Sequence, residues 1–143
     1  MRILVTGSRN WIDDGSVAQA ITDVIVRETG VTVFPGDYDV TIVTGGASGA
    51  DTQAGALGHM FGCKVEVHPA QWNTHLPDCS EVCLSRRVCR RAGYVRNAKM
   101  VKLGADICLA FIRDDSRGAT MCADLAEKAG IPTVRYEVTS GTD

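Results

Sequence analysis

Three short stretches of this chain combine glycine with hydroxyl or guanidinium side chains, a combination that lets backbone amides and planar donor forks close around a phosphate or carboxylate. The first is Thr6-Gly7-Ser8-Arg9, where Gly7 permits a sharp turn and Arg9 supplies the fork. The second is Gly45-Gly46-Ala47-Ser48-Gly49-Ala50-Asp51, whose glycines would let amides approach an anion at the positive end of a helix. It is neither the dinucleotide G-x-G-x-x-G nor a P-loop, because no Gly-Lys-Ser/Thr follows. Asp51 would either accept hydrogen bonds from a ribose or steady the first turn of its own helix. The third is Arg117-Gly118-Ala119-Thr120, in which Thr120 could reach a phosphate or cap its helix. Arg96-Asn97 adds another fork and an amide, although Arg96, Lys99 and Lys102 could equally form a solvated helix face.

A fourth group differs in chemistry. His75, Cys79, Cys83 and Cys89 form H-x3-C-x3-C-x5-C and supply four ligands of the types tetrahedral zinc prefers. A structural zinc would hold together a segment with too few apolar residues to fold by itself, and it is the only cofactor the sequence calls for. The spacing lacks a C-x2-C knuckle, so free thiols in a mobile loop are the alternative. Cys63, Cys108 and Cys122 fall beside apolar strands or on the last helix and read as core. Trp11 and Trp72 lie in loops, where they would stack on a base or pack against the loop edge. His59 and His68 have no partner at catalytic spacing, and no catalytic residue is assigned.

These groups need elements to position them. Apolar runs at 2–6, 40–44, 64–68, 106–111 and 132–136 read as strands, and periodic segments at 14–29, about 50–62, 93–103 and 118–129 read as helices. Phe34-Pro35-Gly36-Asp37 is turn chemistry. Alternating strands and helices mean βαβ units, and right-handed crossovers then give a parallel sheet covered on both faces. The expected fold is a Rossmann-like three-layer α/β/α sandwich with strand order 3-2-1-4-5. Ligands should bind at the carboxyl ends of its strands, at the switch between strands one and four. The expected organisation is one domain over 1–138, with a Cys-rich insert at about 73–91 and a flexible tail at 139–143.

The 143 residues, 45% hydrophobic and 22% charged, fit one soluble domain and leave no room for a second. No apolar stretch approaches the ~20 residues of a membrane span, and no export signal is visible, so a cytoplasmic protein without disulfides is expected. The net charge of −2 argues against a general nucleic-acid coat. The charge is uneven, however. Residues 86–102 carry seven basic residues and no acid, so one face or loop is locally cationic.

Taken together, residues 2–9 with Trp11, residues 45–51, His68-Pro69-Ala70 with Trp72, Arg96-Asn97 with Met100-Val101, and residues 118–120 resemble the YspA-type (YAcAr) branch of the SLOG superfamily. That superfamily has a Rossmann-like fold and includes the LOG phosphoribohydrolases and the DNA-processing protein DprA. The resemblance implies a site for a nucleotide or nucleotide-derived small ligand, sensed or processed, formed by Gly7, Ser8, Arg9, Gly45, Gly46, Ser48, Gly49, Asp51, Arg96, Asn97, Gly118 and Thr120. It also points, by analogy, to a homodimer.

One departure bears on activity. LOG enzymes cleave an N-glycosidic bond with a glutamate in Pro-Gly-Gly-x-Gly-Thr-x-x-Glu, and here Ala123 stands in the glutamate's place, with Asp124 rotated about 100° around the helix. Binding is therefore expected ahead of LOG-like phosphoribohydrolysis, which would need another carboxylate such as Asp51. Single-stranded nucleic-acid binding of the DprA kind ranks third, because Tyr94 is the one aromatic near the basic segment.

Overall fold

The computed structural model describes residues 1–36, 39–89 and 91–139. The end of the expected turn at Asp37, Arg90 of the basic segment, and most of the expected tail (140–143) lie outside them. The elements are β1 (Arg2–Gly7), α1 (Asp14–Thr29), β2 (Thr41–Thr44), α2 (Ala50–Phe61), β3 (Lys64–Val67), α3 (Glu81–Leu84), α4 (Ala92–Leu103), β4 (Ile107–Arg113), α5 (Arg117–Lys128) and β5 (Thr133–Val138). All pairings are parallel and the order is β3-β2-β1-β4-β5, the Rossmann-like arrangement that alternating elements dictate.

Strand periodicity divides the core between the two faces. Ile3 and Val5 of β1 point into a cluster with Val17, Ile21, Val24 and Ile25 of α1 and Ala50 and Ala54 of α2. Leu4 points the other way, to Met100 and Val101 of α4 and Cys122 and Ala126 of α5. Both β1 faces are thus covered, which is why its apolar run is continuous rather than alternating.

Helix ends follow local chemistry. Asp13 caps α1 by accepting from the Ser16 amide at 3.1 Å, and Gly30 ends it with φ of 74°. The one element absent from the sequence reading is α3, a single turn inside the insert, capped by Ser80, whose hydroxyl accepts from the Cys83 amide at 3.2 Å. It carries Cys83, while Cys79 lies just before it. No described helix is long and apolar enough to cross a membrane.

Candidate functional site

The carboxyl ends of β1, β2 and β4 open into a cleft of about 560 Å³ at the switch between β1 and β4. Its walls are Gly7 at the end of β1 and Arg9 after it, Ala47 before α2 and Asp51 in its first turn, Trp72 just ahead of the insert, Arg96 and Asn97 on α4, and Arg117-Gly118-Ala119 opening α5. Gly7 is required by packing: a Cβ there would collide with the Ala50 side chain and come within 2.9 Å of the Phe111 carbonyl oxygen. That close approach brings β1 against the start of α2.

Asp51 organises the glycine-rich loop from within. Its Oδ2 accepts from the amides of Gly45 at 3.1 Å and Ala47 at 3.3 Å, and the Gly46 amide donates to Thr44 Oγ1 at 3.3 Å. These three amides serve the loop itself, unlike the sequence expectation that they cradle an external anion. The carboxylate is the nearest anion, so it takes the donors first. Its second oxygen, Oδ1, is buried and takes no hydrogen bond. Burial raises the Asp51 carboxyl to about 6, against the opposing pull of the Ala47 amide and the Arg96 charge.

Arg96 is fixed at three points. Its Nε donates to Asn97 Oδ1 at 2.7 Å, and its Nη1 donates to the carbonyls of Gly45 at 2.7 Å and His68 at 3.3 Å. Asn97 Nδ2 in turn donates to the Gly118 carbonyl at 3.3 Å, tying α4 to the start of α5. The first intrahelical bond of α5 runs from the Thr120 amide to Ser116, so the amides of residues 117–119 have no partner within the helix. The cleft thus contains three guanidinium groups, from Arg9, Arg96 and Arg117, and an open helix start. Asp51 is its sole carboxylate among the described residues.

Other expected site residues lie elsewhere. Ser8 is buried, with its hydroxyl accepting from the Arg113 amide at 2.7 Å to join β1 to β4. Gly49, at φ of 79°, packs beneath the Ser8 carbonyl as the α2 cap. Gly46 and Ser48 line an adjoining depression that shares Arg9, Trp72 and Arg96 with the cleft, and Thr120 lines neither. Trp11 is core: its ring meets Phe111 edge-on at 5.3 Å and its Nε1 donates to the Asp13 carbonyl at 2.9 Å. Trp72 is the aromatic at the cleft, with the Arg9 guanidinium 5.4 Å from its ring centroid. Ala123 is fully buried and Asp124 pairs with Arg135 at 2.6 Å, so neither reaches the cleft. Sequence reasoning missed Asn10, Gly93, Tyr94, Ser116 and Met121 as lining residues. Ser116 follows Asp114-Asp115, which both take φ of 53° between β4 and α5.

The Cys-rich insert gathers its four candidate ligands. The ligand atoms of His75, Cys79, Cys83 and Cys89 lie within 4.8 Å of one another, a cluster that could hold a metal ion. Cys79 Sγ and Cys89 Sγ are 3.7 Å apart, and Cys83 Sγ is 3.6 Å from His75 Nδ1. Tetrahedral bonds of about 2.3 Å from sulfur and about 2.0 Å from nitrogen would set these edges near 3.8 and 3.5 Å. His75 Nε2 lies 3.1 Å from the Arg86 carbonyl, which makes Nε2 the protonated nitrogen and turns the Nδ1 lone pair toward the thiols. The Leu76 amide donates to Cys79 Sγ at 3.2 Å, a contact that favours a thiolate. All six cysteines are free.

Of the basic segment, Arg96 enters the cleft, while Arg91 pairs with Asp78 at 2.8 Å and Lys99 and Lys102 stay on the exposed side of α4.

The YspA, cpYpsA-related SLOG family (YAcAr) matches residues 1–75. The Gene 61 protein of Mycobacterium phage D29 is 36% identical over 140 residues, covering 94% of this chain and 95% of that protein. No solved structure matches the chain. The chain belongs to the YspA, cpYpsA-related SLOG family.

Proposed function

We propose that the cleft binds a nucleotide or nucleotide-derived small molecule. The observation that carries this reading is the convergence of Arg9, Arg96 and Arg117 on one cleft with the amides that open α5. Asp51 holds the Gly45 and Ala47 amides and so fixes the loop that forms one side of this cleft. The ligand's phosphate then lies over the amides of residues 117–119, beside Arg9 and Arg117, where the helix dipole and both guanidinium groups favour negative charge. Trp72 and Tyr94 supply apolar surface for a base. Family membership supports a nucleotide-related ligand. Proton NMR of nucleoside monophosphates and ADP-ribose with and without protein tests this, with line broadening as the expected result. Sharp, unshifted signals across the panel would contradict it.

A second reading has its own support. Asp51 is the sole carboxylate lining the cleft among the described residues, and burial raises it to about 6, nearer the range that a residue activating water on an N-glycosidic bond needs. The same spectra separate the two readings, because hydrolysis releases free base and new anomeric signals whereas binding alone does not.

The cluster of His75, Cys79, Cys83 and Cys89 is proposed to hold one structural zinc. Two of the six ligand–ligand distances match the edges of a zinc tetrahedron, all four ligand atoms lie within 4.8 Å of one another, and the second nitrogen of His75 has the carbonyl partner that orients such ligands. Metal analysis of protein purified without a polyhistidine tag checks it. One zinc per chain is expected, and metal-free protein with fully titratable thiols would end the reading.

A further inference from the structure

The His75–Cys79–Cys83–Cys89 cluster adjoins the wall of the cleft formed by Trp72 and α4, and Cys89 links the two. Its amide donates to the Trp72 carbonyl at 2.6 Å, and its carbonyl accepts from the amide of Ala92, the first residue of α4, at 3.2 Å. Cys83, Cys89 and Ala92 form a small buried cluster against which Ala70, Trp72 and Cys79 pack. Gly93 lies under the indole, so close that a Cβ there would sit 3.1 Å from Trp72 Cη2. The indole in turn takes the Arg9 guanidinium. One path therefore runs from Cys89 through Trp72 to Arg9, and another from Cys89 into α4, which delivers Arg96 and Asn97 to the cleft.

Beyond that small cluster and the Asp78–Arg91 pair, little apolar burial among the described residues anchors the insert: Val82, Leu84 and Val88 are all exposed, and α3 is a single turn. The order of Cys89, and through it of Trp72 and the first turn of α4, then depends on what joins the four ligand side chains.

We propose that metal occupancy of the His75–Cys79–Cys83–Cys89 cluster controls ligand affinity at the cleft, by fixing Trp72 and the start of α4 in their binding positions. This rests on the zinc and nucleotide readings above. Linkage makes the effect reciprocal: a ligand that requires the ordered wall tightens zinc binding by the same factor that zinc tightens the ligand.

The test follows the indole N–H signals of Trp11 and Trp72 in ¹⁵N-labelled protein under reducing conditions, before and after zinc is removed by a chelator. Metal content is measured on each sample, and adenosine 5′-monophosphate is titrated into both. Trp72 should shift and broaden on zinc removal while Trp11, sealed in the core, stays in place. The AMP dissociation constant should rise about tenfold, and Cys83→Ser should reproduce both effects.

Confirmed loss of zinc with an unmoved Trp72 signal, or AMP affinity unchanged within twofold, would overturn the coupling. A protein that never contains zinc would overturn the zinc reading and the coupling together. Movement of Trp72 without any AMP binding would refute control of this ligand and leave the zinc reading intact.

Discussion

Arg96 and Asp51 hold opposite ends of Gly45: the guanidinium donates to its carbonyl at 2.7 Å and the carboxylate accepts from its amide at 3.1 Å. The two charged groups thereby fix the turn after β2 from both sides, and each also lines the cleft. Neither is free to move without the other, so loop geometry and site electrostatics are set by the same pair.

Arg96→Ala should cost about 2 kcal/mol of stability, because it removes charge-assisted bonds from the carbonyls of Gly45 and His68. AMP affinity should fall at least tenfold. Arg96→Lys restores the charge without the fork that spans Asn97 and Gly45, so most of the loss should persist. Urea unfolding and NMR titration measure the two effects.

Two glycines that share a positive φ but differ in ψ, 1° at Gly30 and −130° at Gly49, should respond differently to alanine. Gly49 has φ of 79° and a Cβ there would collide with the Ser8 carbonyl oxygen, whereas Gly30 has φ of 74° with open space around it. Gly30→Ala should cost about 1 kcal/mol from backbone strain alone, and Gly49→Ala at least about 2 kcal/mol more. Equal midpoint shifts in urea would refute the close approach of α2 to β1.

Asp51 gives stability a specific pH dependence. Its native carboxyl takes up a proton near pH 6 and the unfolded one near 3.8, so between those values the native state binds more protons. Its contribution is fully present below about pH 4 and is lost as pH rises through about 6, a span worth up to about 3 kcal/mol. Glu66 has the opposite sign. Held down to about 2 by Arg2 and then His68, it stabilises above its ordinary range and loses that contribution at lower pH. Asp51→Asn should flatten the stability profile between pH 4 and 6, as read by urea unfolding at a series of pH values. Ligand affinity of the wild type should fall below pH 6, as the carboxylate becomes protonated.

Asp124→Ala should leave AMP binding unchanged and cost no more than about 1 kcal/mol, because its partner is the half-exposed pair with Arg135 on the outer surface of α5. A large loss of binding or base release would restore Asp124 to the site, where a LOG-like mechanism would need a carboxylate.

The strand order was readable because each apolar run has the length and neighbours of a strand covered on both faces, and short βαβ links leave few topologies open. The cleft followed from that order. Less legible was the use each residue makes of its groups. Ser8 and Arg9 are adjacent in a promising motif, yet the hydroxyl is spent joining β1 to β4 while the guanidinium faces the cleft. The composition of the 45–51 loop signals amides ready for an anion, and it is Asp51, within the same motif, that occupies them. That competition depends on distances no spacing rule contains. Likewise H-x3-C-x3-C-x5-C lists four ligands, but their convergence depends on the Ser80-capped turn and on the Cys89 bond to Trp72.

The most direct test of the nucleotide cleft is a ¹H–¹⁵N correlation spectrum of the assigned, zinc-loaded protein titrated with AMP, and with ADP-ribose in parallel. Saturable shifts should appear at the amides of Gly118 and Ala119, in the 45–51 loop and at the Trp72 indole, with at least tenfold weaker binding in Asp51→Asn. Shifts confined to other surfaces, or none at millimolar ligand, would contradict the assignment of this cleft.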